Sequence, residues 1–172
     1  MFSEIKKISS LLLSVAFSSI GFIASITVTV LAAREVSSNP LFVGFPNAVG
    51  VGGAVIGTRM IYLISKSNSQ LNALAFTFLI GAFGGAIMFY SLIIDSFLLL
   101  LLGAFVLGIG QSATLQTRYA ASFVAGTKFK ATALSLAVWF SVFGSVFGPR
   151  MVGSYSNFFE NIFNSDLIVG YV

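Results

Sequence analysis

The sequence predicts an all-α bundle of helices that cross a lipid bilayer several times. Of its 172 residues, 57% are hydrophobic and only 8% are charged, and the mean hydropathy is +1.00. A soluble domain carries about 25% charged residues, so this chain has too few of them to cover a surface that faces water. Its hydrophobic residues are also gathered into long runs with short polar breaks between them. Both observations predict a polytopic membrane protein.

Five of the apolar runs approach or exceed the ~20 residues that a helix needs to cross a bilayer. We place all of them in one transmembrane domain, 1–172. The predicted spans are 11–33, 41–64, 71–92, 97–115 and 131–148, and residues 167–172 would begin a sixth.

The first apolar run could be read as a secretory signal, because Lys6 and Lys7 precede it and Ala32-Ala33 resembles a cleavage site. The apolar core of a signal peptide is about 7–15 residues long. The run 11–33 is longer than that and matches a bilayer crossing. We therefore interpret it as a retained span.

The second span follows a polar turn that ends at Pro40 and is rich in glycine. Gly53 and Gly57 form a GxxxG step, which lets two helix backbones approach closely. Such a face suits plain helix packing, and it also suits helices that slide or rock against each other. The sequence leaves both interpretations open.

The third and fourth spans are expected to form an antiparallel hairpin, because only residues 93–96 separate them. The longest internal break is expected at 116–130. The fifth span then ends at Gly148-Pro149, and a mixed tail follows.

The positions of Lys and Arg predict the orientation of the spans. Seven of the nine fall on one side, and they are Lys6, Lys7, Arg59, Lys66, Arg118, Lys128 and Lys130. Arg34 and Arg150 fall on the other side. Cytoplasmic loops are enriched in basic residues. We therefore expect a multi-pass protein of the cell (plasma) membrane, with a cytoplasmic N-terminus and an extracytoplasmic C-terminal tail.

The inventory of reactive side chains argues against an enzyme. The chain has no Cys and no His, and its five acidic residues are not paired in sequence. Thiolate and imidazole chemistry, paired general acid–base groups and a nucleophile dyad are therefore missing. We expect no catalytic residue, no metal and no cofactor. The basic residues lie in the hydrophilic breaks, so no nucleic-acid partner is expected.

A few polar or aromatic residues within the spans are candidates for function. Asn47 and Gln111 are polar groups in apolar helices, and Trp139 lies near mid-depth rather than at the interface that tryptophan prefers. These three are candidates to line a solute cavity, although packing or lipid contact would also explain Trp139. Arg59 and Arg118 are either interfacial cations that snorkel or gating contacts between helices.

The last part of the chain carries a family resemblance. Residues 108–119 read Gly-Ile-Gly-Gln-Ser-Ala-Thr-Leu-Gln-Thr-Arg-Tyr, and the fifth span closes on Gly144, Gly148 and Pro149. Together, residues 108–153 resemble helices four and five of the major facilitator superfamily of secondary transporters. In that family the glycines and proline at the end of helix five shape a flexible helix interface. Here the second glycine of the pair that usually follows the proline in that family is displaced to Gly153.

Other family signatures differ in this chain. The loop between helices two and three usually carries an acid and an arginine after a glycine. Counted from Gly57, those positions hold Ile61 and Tyr62, and only Lys66 keeps a basic character. The arginine that drug–proton antiporters often carry in helix four corresponds to Ala104. The resemblance therefore does not extend to proton coupling by that route.

The resemblance implies a transporter that moves a small solute by alternating access, with this chain as its N-terminal half. The expected partners are the lipid bilayer, a small-molecule substrate, and either a missing C-terminal half or a second membrane chain. We favour the missing half, because the sequence stops inside an apolar run. The alternative is a non-transporting membrane subunit or assembly protein that uses its GxxxG faces to bind partners.

Overall fold

The computed structural model describes residues 2–36, 40–67, 69–125, 130–144 and 146–147. The predicted all-α fold is confirmed. The helices are α1 (Phe2–Val36), a short 3₁₀ turn (Pro40–Phe42), α2 (Phe45–Ser67), α3 (Gln70–Ile93), α4 (Phe97–Val124) and α5 (Lys130–Gly144).

Within this described part, α1 to α4 each contain a segment long and apolar enough to cross a bilayer. α5 is shorter, and the end of the fifth predicted span and residues 167–172 lie outside the described residues. The fifth and sixth spans therefore stay predictions.

Helix α4 is the centre of the bundle, since it packs against α1, α2 and α3. α3 runs antiparallel to α4, because Gly81 lies against Gly110 while Met88 lies against Gly103. α2 runs in the same direction as α4. Direct packing of α1 on α2 and on α3 is slight.

Two clusters of buried hydrophobic residues lie toward the two ends of α4. The first joins α1, α3 and the start of α4 through Ala32, Met88 and Leu100. The second joins α2, α3 and the later part of α4 through Ile61, Leu74 and Ala113. Many large apolar side chains instead point outward, including Phe17, Phe83 and Leu98. Outward apolar residues are expected where lipid is the solvent.

The α3–α4 turn is tight and has its own caps. Asp95 has a positive φ of 49°, and the Ser96 side chain accepts a hydrogen bond from the Leu99 amide at 3.4 Å. The Ser96 amide donates to the Ser91 carbonyl at 3.1 Å. The turn therefore reverses the chain within three residues, as a short hairpin between two spans requires.

The expected break at 116–130 differs from the structure, because α4 continues to Val124. No proline or glycine interrupts 116–124, and Ala120 remains packed in the second cluster. Hydropathy falls after Leu115, but the helix does not end there. A drop in apolar content marks where lipid contact weakens, whereas helix termination needs a separate signal.

Candidate functional site

A cavity of about 210 Å³ lies between α1, α2 and α4. Its wall is mostly apolar or small, with a few polar groups. The lining residues are Phe22, Ser25, Ile26, Thr29, Pro46, Asn47, Gly50, Val51, Ala104, Leu107, Gly108 and Gln111. Small-molecule sites usually have such a lining in a volume of about 300–1,000 Å³, so this cavity shares their lining but is smaller.

Two of the predicted cavity residues meet in this cavity. Asn47 comes from the first turn of α2, Gln111 comes from the middle of α4, and both are half-buried. Neither side-chain amide has a hydrogen-bond partner among the described residues. Each amide offers two N–H donors and a carbonyl acceptor. The amides that line the cavity can therefore both donate and accept hydrogen bonds.

The two hydroxyls that line the cavity donate their protons to their own helix. Ser25 Oγ donates to the Phe22 carbonyl at 2.7 Å, and Thr29 Oγ1 donates to the Ser25 carbonyl at 2.6 Å. Their remaining lone pairs can only accept. Asn47 and Gln111 are therefore the side chains that can donate to a solute here.

Trp139, the third predicted cavity residue, lies elsewhere. It is on α5, it does not line this cavity, and its side chain is 65% exposed. Val138, Val142 and Phe143 are also exposed on this helix. Any contact of Trp139 with a solute would therefore need a second surface facing α5.

The predicted gating cations occupy different environments. Arg59 is exposed on α2. Arg118 is half-buried on α4, and its Nε is buried without a hydrogen-bond partner. Neither residue lines the cavity, whose described wall contains no ionisable side chain. A charged solute would therefore find no countercharge in this wall.

The GxxxG residues of α2, Gly53 and Gly57, lie directly against α4, closer to the C-terminal end of α2 than the residues that line the cavity. A Cβ added to Gly53 would overlap the carbonyl oxygen of Phe105, and one added to Gly57 would lie 2.5 Å from the carbonyl oxygen of Ile109. The two backbones are thus in contact at both positions. This is the close approach that the spacing predicts.

Gly144 makes a similar contact between α5 and α1. A Cβ there would lie 2.6 Å from the Cβ of Ser19, and the Ser19 hydroxyl is buried without a hydrogen-bond partner. Gly148 and Pro149, the rest of the predicted interface motif, lie outside the described residues.

Sequence reasoning missed Gly50 and Gly108 as a pair. A Cβ on Gly108 would overlap the Gly50 carbonyl oxygen, so α2 and α4 also touch beside the cavity. The signal was present, because Gly50, Gly53 and Gly57 are spaced three and four residues apart on one helix face. Ser25 and Thr29 carried no comparable signal, since hydroxyl residues occur throughout α1.

A second cavity, of about 310 Å³, lies between α1, α3 and α4. Its lining is almost entirely apolar and includes Ala24, Val28, Met88 and Leu107. Among the described lining residues Ser25 is the one with a hydroxyl, and that hydroxyl donates to the helix backbone. The described wall therefore lacks groups to orient a polar solute. Across the described residues, no group of three or more His, Cys, Asp or Glu is placed to hold a metal ion.

Four helices that are long and apolar enough to cross a bilayer, packed around α4, define a polytopic helical membrane protein. Comparisons with known proteins add two similar sequences. The chain is 31% identical over 146 residues to the uncharacterized MFS-type transporter YdeG of Bacillus subtilis (strain 168), covering 85% of this chain and 34% of the relative. It is also 31% identical over 157 residues to the uncharacterized MFS-type transporter YddS of the same organism, covering 91% of this chain and 36% of the relative.

Over most of its length the chain is similar to these MFS-type transporters, in keeping with the resemblance of residues 108–153 to the major facilitator superfamily. It spans about a third of the length of these two relatives. No family model matches it, and no solved structure matches it.

Proposed function

We propose that the chain forms part of a transporter that moves a small solute across the plasma membrane by alternating access. The observation that carries this proposal is the cavity between α1, α2 and α4, where Asn47 and Gln111 present unpartnered amides. The two relatives named as MFS-type transporters support the same class of activity.

Asn47 and Gln111 would contact the solute, and their amides would fix its orientation. Buried polar groups in a membrane helix carry a cost when they lack partners, so such groups usually serve a function. A bound solute that donates and accepts hydrogen bonds would supply those partners. Trp139 would contribute only if the exposed face of α5 meets a second helical bundle.

The glycine contacts would serve the motion. Gly53 and Gly57 place the α2 backbone on α4, and Gly144 places α5 on α1. Small residues leave few interlocking side chains at these contacts, so the helices can shift with little repacking. Gly148, Pro149 and Arg118 are proposed to belong to the same moving interface.

The proposed arrangement in the membrane follows the distribution of basic residues. The N-terminus would be cytoplasmic, and the tail after the fifth span would be extracytoplasmic. The complete solute pathway would lie between this bundle and a second bundle, supplied by a C-terminal half or by another membrane chain.

The proposal is tested by uptake into membrane vesicles. A panel of radiolabelled neutral and charged solutes is screened for uptake that depends on the protein, and then Asn47→Leu and Gln111→Leu are compared with Gly52→Ala. Gly52 has no atom within 4 Å of an added Cβ, so its variant controls for expression and insertion. Each amide variant should lower uptake at least about tenfold, the factor that matches ~1.4 kcal/mol.

Two results would contradict the proposal. Uptake unchanged in both amide variants, at equal amounts of inserted protein, would remove the cavity from the pathway. If no solute in the panel is taken up and the protein instead co-purifies with other membrane subunits, the non-transporting alternative would replace it. Trp139→Ala is included in the same series, and its uptake is expected to fall without loss of insertion.

A further inference from the structure

Two polar atoms at one end of the bundle are buried without a hydrogen-bond partner among the described residues. They are the Oγ of Ser65, near the end of α2, and the Nε of Arg118, near the end of α4. Many hydroxyls of the described helices avoid this state by donating to their own backbone, as Ser112 and Ser122 do at 2.6 and 2.7 Å. A buried polar group without a partner costs free energy. Both atoms can donate, so an acceptor that reaches both would remove that cost.

The register of α2 on α4 places these two side chains at the same level. The two helices run in the same direction, and a Cβ added to Gly57 would contact the backbone of Ile109. Eight residues further along each helix, this register sets Ser65 beside Thr117, the neighbour of Arg118.

Both side chains also lie on the same side of the contact between α2 and α4. Ser65 follows Asn47 by 18 residues, which is five complete turns of an α-helix. Arg118 follows Gln111 by seven residues, which is close to two turns. Asn47 and Gln111 line one cavity. The helix faces that meet in that cavity therefore carry Ser65 and Arg118 at the end of the bundle.

This end of the two helices lies at the predicted level of the lipid headgroups. The predicted second span ends at residue 64 and the fourth at residue 115. Ser65 therefore lies directly after one span, and Arg118 lies about 4.5 Å beyond the other. Both helices continue past these residues, to Ser67 and to Val124. The two side chains are thus held by helices at the depth of the polar headgroup region.

The acidic residues of the sequence are predicted to lie elsewhere. Four of the five fall on the opposite side of the predicted topology, and the fifth is Glu4. α1 runs antiparallel to α4, because Ala32 packs with Leu100, and this register sets Arg118 at the level of residue 14. Glu4 lies ten residues further along α1, which is about 15 Å. An acceptor for Arg118 must therefore come from another source.

We propose that Arg118 and Ser65 bind a phosphate group at this end of the α2–α4 pair. Arg118 donates from Nε and from a terminal nitrogen, a side-on fork that matches two phosphate oxygens, and the Ser65 hydroxyl donates to one of them. Such charge-assisted hydrogen bonds are strong. The depth of the site favours the headgroup of an anionic phospholipid, since basic pockets between transmembrane helices bind such headgroups. Free phosphate is the other source of the same chemistry. The inference does not depend on transport activity.

The test is native mass spectrometry of the purified protein, titrated with phosphatidylglycerol and separately with phosphatidylcholine. Phosphatidylglycerol should bind more tightly, because choline neutralises the phosphate charge. Arg118→Gln should weaken its binding at least about tenfold, and Ser65→Ala should weaken it about two- to tenfold. Arg34→Gln is the matched control, because it removes the same charge from an exposed arginine at the end of α1. It should change the affinity less than about twofold, since its distance from the site screens the charge.

Arg118→Lys separates the fork from the charge. Lysine keeps the charge but lacks the Nε donor, so it should not restore the affinity of the native protein. Inorganic phosphate is then added alone and as a competitor. Lipid binding that phosphate displaces weakly assigns the site to a headgroup, and Arg118-dependent binding of phosphate without lipid assigns it to the soluble ion.

Three results would overturn the proposal. They are equal binding of the two lipids together with no binding of phosphate, equal losses in Arg118→Gln and Arg34→Gln, and full affinity in Arg118→Lys. If Arg118→Gln does not fold, as judged by size-exclusion chromatography, Ser65→Ala and Arg118→Lys decide the question. Native affinity in both of these variants would refute the site.

Discussion

The contact of Gly53 with α4 leads to a quantitative prediction for the variant Gly53→Ala. The added Cβ would overlap the carbonyl oxygen of Phe105, and it would lie 2.9 Å from the carbonyl carbon and 3.3 Å from the Ile109 amide nitrogen. The neighbouring atoms are backbone and cannot rotate away, so α2 and α4 must separate. Overpacking of this kind costs about 1–3 kcal/mol.

Gly52→Ala is the matched control, one residue away on the same helix. An added Cβ there meets nothing within 4 Å. Both variants exchange glycine for alanine inside a helix, so both gain the same helix propensity, about 1 kcal/mol. Because that gain is common to both, the difference between the two variants isolates the steric cost of about 1–3 kcal/mol.

The difference is measured by unfolding the purified protein with a denaturing detergent, followed by circular dichroism. Gly52→Ala should be as stable as the native protein or more stable, and Gly53→Ala should be less stable than Gly52→Ala by the stated amount. Equal stability of the two variants would show that α2 and α4 do not touch at Gly53, and the glycine interface would then be wrong.

Three further predictions concern packing and turns, and each is read by the same unfolding assay. Leu100→Ala should lower the free energy of unfolding by about 2–5 kcal/mol, because Leu100 is fully buried and its truncation leaves a cavity. Truncation of the exposed Leu98 to Ala should change that free energy by no more than about 0.5 kcal/mol. Equal losses in the two variants would refute the packing of the first cluster. Gly144→Val should separate α5 from α1 and lower the free energy of unfolding by about 1–3 kcal/mol. Gly21→Val is the control, because a Cβ added at Gly21 meets no atom within 4 Å, and it should lack that steric cost. Equal losses in the two variants would show that α5 does not pack on α1 at Gly144. Asp95→Gly should stabilise the protein by up to about 1 kcal/mol, because a positive φ suits glycine, and a loss of stability would mean that the Asp95 side chain stabilises the turn.

The fold class was predictable from composition, because a chain with so few charges has only lipid as a suitable solvent for its surface. Helix ends were less predictable. Hydropathy reports the environment of side chains, so it placed a break after Leu115 where α4 continues to Val124. The helix ends at Val124, and Ala125 is its C-cap.

The candidate site was predictable only in part. Asn47 and Gln111 were identified one by one as polar residues in apolar helices, and the structure brings them to one cavity. Tertiary packing decides which helices enclose that cavity. Residue type and spacing within one helix do not reveal that packing. The same limit applies to Trp139, because depth in the membrane is readable from sequence but the direction of a helix face is not.

The central position of α4 has a consequence for biosynthesis. α1 packs little on α2 or α3, and it joins them mainly through α4. During synthesis α1 is made before α4, so it can enter the bilayer before the surface that later holds it to α2 and α3 is available. Entry of α4 into the bilayer is therefore the step at which the bundle can close around its central helix.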